Sequence, residues 1–314
     1  MPNRSNAPII LLGFARSGTT TFQERLAREL KYNAAFEPVA FNHSGYPANQ
    51  FREIYRLFRI APEIQQLADY KVSNTTLAAL HLLGPCKESE DYISLLKQYF
   101  LHLLHFYGHN VVIKELRLLY NLPTLIEILS NLTNPPLFVF LKANPLMTLY
   151  TYYRLGGLIE NQDDFDLRVD ELHAYRIATG SGFEFLLDLV QIRCLNKWEK
   201  LLTSVFLEHR MMDYLSATYP DHSVIANFET FDNSISAVAG RLDISIDKKR
   251  DAFVLHTPRY MGDRCFQRRL KQMIRPEILE VNSIAIEEPW RKNTSHKRQL
   301  QYWITHLQHY ILDI

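Results

Sequence analysis

The sequence predicts an α/β fold, a mostly parallel sheet flanked by helices. Three observations predict it. An apolar run, "PIILL" (8–12), leads into a glycine loop, "GFARSGTTT" (13–21), and then into a segment with helical spacing. Further β-type runs recur at 110–115, 136–142 and 222–229. Long helical patterns separate those runs, and alternation of this kind builds parallel sheets covered by helices.

Each element has its own reason. Five consecutive apolar residues suit a strand covered on both faces, which places β1 over Ile9 to Gly13. In "TTFQERLARELK" (20–31), Phe22, Leu26 and Leu30 share one helical face. The strands "NVVIKE", "PLFVFLK" and "HSVIANFE" follow, with helical patterns at about 50–70, 88–107, 120–131, 145–160, 183–219 and 296–312. Strand, phosphate loop and helix form the opening unit of a parallel α/β fold. No repeat, low-complexity tract or linker divides the chain. Residues 1–314 are read as a single domain with helical lid insertions at about 41–110 and 155–220. The stretches "ENQDDFDLRVDE" (160–171) and "ATGSGF" (178–183) read as exposed loops.

The loop carries the chemistry. Backbone amides at a helix N-terminus bind anionic oxygens unaided. Ser17, Thr19, Thr20 and Thr21 add hydroxyls, and Arg16 adds a guanidinium fork. An ATP-hydrolysing P-loop has lysine where this chain has Thr19, and an aspartate ending a later strand; "LFVFL" ends instead in Lys142. A metal-dependent nucleotidase or kinase is weakened on both counts. The plain alternative is a strand-to-helix turn that binds nothing.

The bulk numbers bound the rest. With 314 residues, 47% hydrophobic and 22% charged, the chain is an ordinary globular protein with room for a large core. A formal net charge of +1 gives no global sign of a nucleic-acid partner or an anionic membrane surface. Cys86, Cys194 and Cys265 are too scattered for a disulfide framework or zinc site. The early apolar stretch is too short for a signal peptide or a membrane span, so the expected location is cytoplasmic. His102 and His105, and His306 and His309, are each about one turn apart, but without a neighbouring carboxylate or cysteine they read as packing or surface histidines. The acidic Asp163, Asp164, Asp166 and Asp170 lack the glycine and glutamate of a calcium loop. No metal site is expected.

Residues 13–29 resemble the phosphosulfate loop of the sulfotransferase family, in which a basic residue precedes Ser-Gly-Thr-Thr. Members of that family use 3′-phosphoadenosine-5′-phosphosulfate (PAPS) as donor, need no metal and have a P-loop-type α/β sheet. The likeness continues in order through "FEPV" (36–39), "VVIKELRLLYNLP" (111–123), "FVFLKANPLMTLYTYYR" (138–154), "VIANFETF" (224–231) and "PWRKNTS" (289–295). It implies a single sulfotransferase-like domain acting on a hydroxyl or amine of a small-molecule or glycan acceptor. It also implies donor contacts from Arg16, Ser17, Gly18, Thr19, Thr20, Thr21, Lys114, Lys142, Thr151, Arg291 and Lys292.

The chain departs from the family where the donor's 3′-phosphate is bound. With Pro145 on the family's Arg-Asp-Pro turn, Thr151 takes the place of the phosphate-binding serine, but the arginine position is Ala143. Lys142 substitutes only if the strand has ended there, because neighbouring strand residues face opposite ways. The Arg-Lys-Gly segment expected before the C-terminal Trp290 is missing from "VNSIAIEEPW". Just upstream, Arg259, Arg264, Arg268 and Arg269 form either a replacement clamp or a solvated helix face.

The resemblance also frames the mechanism. Arg16 stabilises charge on the bridging oxygen, with Lys114 beside the sulfuryl group. The family's base histidine falls on Leu116, which leaves Glu37 as the favoured base, Glu115 next and His43 third. Tyr152 and Tyr153 belong mainly to a buried helix face within reach of a nucleotide. Two other readings stand beside the transferase: a non-catalytic binding protein that has lost its donor, and an atypical P-loop small-molecule kinase.

Overall fold

The computed structural model describes residues 6–14, 16–36, 97, 100–101, 103–116, 126, 129–130, 132, 135–155, 196–246 and 263–275. Within them runs a five-stranded, wholly parallel sheet in the order β2-β3-β1-β4-β5. The strands are β1 (Ile9–Gly13), β2 (Asn33–Phe36), β3 (Val111–Lys114), β4 (Leu137–Lys142) and β5 (Ser223–Asn227). Four of the five coincide with the apolar runs of the sequence. All of β1 and β3 is buried, as expected of strands covered on both faces. β1 is central, in register with β3 through Leu11↔Lys114 and with β4 through Gly13↔Leu141.

Helix α1 (Thr19–Leu30) buries the predicted Phe22, Leu26 and Leu30. It also buries Gln23, and that amide fixes the helix to the sheet. Gln23 Nε2 donates to the carbonyls of Ala35 on β2 and Val112 on β3, both at 2.8 Å. Strand β2 has no counterpart among the predicted strands. Its Asn-Ala-Ala-Phe sequence has low β propensity and its first two residues are exposed, so tertiary bonds hold it. Besides Gln23, these are Asn33 N to Asn110 O and Asn33 Nδ2 to Tyr107 O, each 2.8 Å.

The chain divides into two compact units, Met1–Lys142 with Met211–Phe253, and Ala143–Arg210 with Val254–Ile314. The first holds the sheet, α1 and the helix that follows β5 across a short 3₁₀ turn (Phe228–Thr230). That helix spans Phe231–Arg241. Its Ser234 Oγ accepts from Asn227 N at 2.8 Å and donates to Asn227 O at 2.9 Å, closing the end of β5.

The second unit contains α2 (Pro145–Leu155), α3 (Lys197–Thr218) as far as Arg210, and the last described helix (Arg264–Met273). Taking the helix after β5 as α4, this last one is α5. Asn196 and Glu199 form a capping box at the start of α3. Asn196 Oδ1 accepts from Glu199 N at 3.1 Å, and Glu199 Oε2 accepts from Asn196 N at 3.0 Å. The fully buried Glu199 also accepts from Arg275 N (3.0 Å), Nε (2.8 Å) and Nη2 (2.9 Å). Burial pushes this carboxyl up, but the Arg275 bonds and charge and the Asn196 amide outweigh that and hold it below the usual range. At the other end of α5, Asp263 accepts from Cys265 N and Phe266 N, both at 3.0 Å. Among the described residues no helix is long and apolar enough to cross a membrane.

Two outcomes follow from these bonds. Gln23→Leu strands two buried carbonyls, so urea unfolding should show a loss of about 1–3 kcal/mol; unchanged stability would remove Gln23 as the link. A depressed carboxyl stabilises the fold above its unfolded-state value and loses that effect as pH falls through the folded value. Glu199→Gln should therefore melt well below wild type near neutral pH, with the gap in Tm narrowing as pH drops below about 4. A gap that stays constant with pH would show that the charge is not what matters.

Candidate functional site

The glycine loop leaves the carboxyl end of β1, between β3 and β4. From β1 the chain builds β2 and β3 on one side and then crosses to β4 and β5 on the other. Open parallel sheets bind ligands where the strand order reverses in this way.

The loop is held closely from within. A Cβ on Gly13 would lie 2.6 Å from Thr19 Cγ2 and 2.9 Å from Leu141 O, so only glycine lets the helix start this near the sheet. Phe14 O accepts from both Ser17 N (3.1 Å) and Ser17 Oγ (2.6 Å). The buried Ser17 hydroxyl therefore donates to the loop's own backbone. Arg16, third in that turn, has φ 66°, a left-handed conformation that costs energy for a residue with a Cβ, and its side chain is exposed.

Gly18 precedes α1 with φ 83° and ψ 12°, and its carbonyl accepts from Phe22 N at 3.0 Å. It has no side chain to cap the helix, and the first turn has no acidic residue. The first-turn amides of Thr19, Thr20 and Thr21, which have no acceptor within a helix, thus stand at the positive end of the helix dipole. Thr19 is buried, Thr20 half-buried and Thr21 exposed.

The charge that position 19 lacks comes from the neighbouring strand. Lys114 ends β3, is 2% exposed, and donates from Nζ to Thr20 Oγ1 at 2.9 Å. The same ammonium sits 3.5 Å from the centre of the Phe36 ring, at the end of β2. Glu115 follows, fully buried, its amide donating to Leu11 O at 2.9 Å. On the other side the Phe228 ring lies against Gly18 and makes an edge contact with Phe231 at 5.5 Å. This arrangement suits an anion with several oxygens: amides and a desolvated ammonium meet at a loop that also carries an exposed arginine.

The other predicted residues are placed differently. Lys142 is the last residue of β4, so the strand has not ended before it, and its ammonium is ion-paired with Asp213. In the second unit, Thr151 Oγ1 donates to Met147 O at 2.8 Å. Arg264, Arg268 and Arg269 are exposed on α5, where Arg268 Nε donates to Arg264 O at 3.3 Å. Tyr152 is buried, and Tyr153 packs near Phe266 and Trp198, at 5.2 and 6.4 Å between ring centres. Glu37, His43, His102, Arg259, Arg291, Lys292, His306, His309 and the acidic stretch Asp163–Asp170 lie outside the described residues. Phe36 and Phe228 were not singled out from the sequence. The signal for Phe36 was its place beside Glu37, which becomes informative only once β2 is paired with β3.

A side chain at position 18 would have to meet Phe228 Cδ2 at 2.7 Å and Cζ at 2.8 Å, in a left-handed backbone. Gly18→Ala should cost about 1–3 kcal/mol in urea unfolding. Adding Phe228→Leu should recover part of the loss, and wild-type stability in the single variant would show that the ring does not wall the loop.

No model of a known protein family matches the chain, and no curated protein matches it either. Its functional reading rests on the loop and the lysine that reaches it.

Proposed function

We propose that this protein is a sulfotransferase whose glycine loop holds the 5′-phosphosulfate end of PAPS, for metal-free transfer to a hydroxyl or amine of a small-molecule or glycan acceptor. The observation that carries this reading is the contact between Lys114 and Thr20 at a loop without its own lysine. An anion there meets amides from α1, one buried ammonium and one exposed guanidinium, a donor set that fits a phosphosulfate. The metal-free part rests on residue identity, since β3, β4 and β5 end in Lys114, Lys142 and Asn227 rather than in aspartate. P-loop-type architecture, a single domain over 1–314 and helical lids at about 41–110 and 155–220 belong to the same proposal.

The bound donor supplies an activated sulfuryl group on a nucleotide leaving group. The chain's own residues do the rest. The amides of Thr19–Thr21 and the hydroxyl of Thr20 fix the anion in line for attack. Arg16 and Lys114 bring positive charge to the bridging oxygen as it becomes negative, without reorganisation at the moment of transfer. Glu37 takes the acceptor's proton, with Glu115 as the alternative base. Thr151, Arg291, Lys292, Arg259 and the arginines of α5 are the candidates for the 3′-phosphate; Lys142, still within β4 and paired with Asp213, does not meet the condition for substituting.

Calorimetric titration with adenosine 3′,5′-bisphosphate and with magnesium-ATP tests this. The bisphosphate should bind and magnesium-ATP should not. With an acceptor in hand, Arg16→Ala should lower turnover by ~100-fold, the scale of one lost transition-state donor, while excess chelator leaves wild-type turnover unchanged. Binding of magnesium-ATP alone would replace the transferase with a kinase, and binding of neither would leave a sulfotransferase-like binding protein.

A further inference from the structure

We infer that Phe36 is a positioning residue: its ring face holds the Lys114 ammonium at Thr20, so a cross-strand cation–π pair sets the charge at the mouth of the glycine loop. The inference rests on the reading of the loop as an anion site. Phe36 and Lys114 are the last residues of β2 and β3 and stand directly opposite one another in the parallel ladder. The ammonium is 3.5 Å from the ring centre, well inside the distance at which a ring quadrupole attracts a cation.

Lysine needs such a guide. Its charge sits on a flexible four-carbon stem with three rotatable donors, unlike the rigid fork of arginine. In a P-loop with its own lysine, the backbone of the loop fixes the stem. Here the stem starts on another strand, and Lys114 is a buried residue, 2% exposed, so contacts within the protein must stabilise its charge. Thr20 Oγ1 accepts one of its protons at 2.9 Å. That acceptor is a neutral hydroxyl in the first turn of α1. The ring stabilises the charge from another direction without neutralising it. This role accounts for an aromatic residue at the end of an otherwise small and polar strand.

The test replaces Phe36 with phenylalanines bearing one, two or three ring fluorines, which withdraw the quadrupole and keep the shape. The series is made in the wild-type chain and in Lys114→Met. Affinity for adenosine 3′,5′-bisphosphate and for inorganic pyrophosphate is titrated, and Tm is recorded for each protein. With Lys114 present, affinity for both anions should fall stepwise, by ~10-fold across the series, a span that one cation–π contact can supply. In Lys114→Met the series should be flat. A flat series with Lys114, or equal slopes in both backgrounds, overturns the inference. Should neither anion bind the wild-type chain, the proposed function falls while the pair is still decided by Tm. A fluorine-dependent Tm seen only with Lys114 supports Phe36 as its guide, and a Tm independent of fluorine or of Lys114 removes it.

Discussion

A lysine side chain crossing from β3 to the first turn of α1 is the interaction on which the rest of this site depends. Lys114 brings a positive charge to Thr20, one residue beyond the position where a nucleotide-binding loop ordinarily carries its own lysine. For that reach to work, β3 must lie beside β1 in the register Leu11↔Lys114, and α1 must start close to the sheet. The absent side chain of Gly13 allows the second condition, because any Cβ there would run into Thr19 and Leu141. The sheet, the glycine and the lysine therefore act as one device.

The two sides of the loop are built by different means. On the β3 side the neighbour is a charge resting on an aromatic face. On the β5 side it is Phe228, apolar, lying where glycine has left room. The loop is thus polarised, with an electrostatic wall and a packing wall. Arg16 stands outside both, exposed, in a backbone conformation that glycine would adopt more cheaply.

Much of the fold was legible in the sequence. Strands β1, β3 and β4 announce themselves as apolar runs because they are covered on both faces, and β5, only partly buried, as a short β-type run. The loop was legible too, since its glycines and hydroxyls sit together in nine residues. Strand β2 was not. Asn-Ala-Ala-Phe has no pattern of its own, and it becomes a strand through bonds from Gln23, Asn33 and Asn110 that no local window contains. The roles of Phe36 and Phe228 were hidden for a related reason. Each acts on a residue far away in sequence, and only the folded chain brings the partners together. The pairing of Lys142 with Asp213 is of the same kind, joining residues 71 positions apart.

Gln23 also bears on the order in which the protein can acquire its site. The two carbonyls it grips belong to residues 12 and 89 positions further along the chain. The first is close at hand, and the second can be met only after the long segment between them has been spanned, a slow, entropically costly closure. On a ribosome, α1 would emerge and coil early, yet its anchor on β3 and the ammonium at its first turn would both wait for the stretch Val111–Lys114. The wall at Gly18 would wait longer still, for Phe228. A nascent chain therefore carries the glycine loop long before it carries the lysine and the ring that flank it.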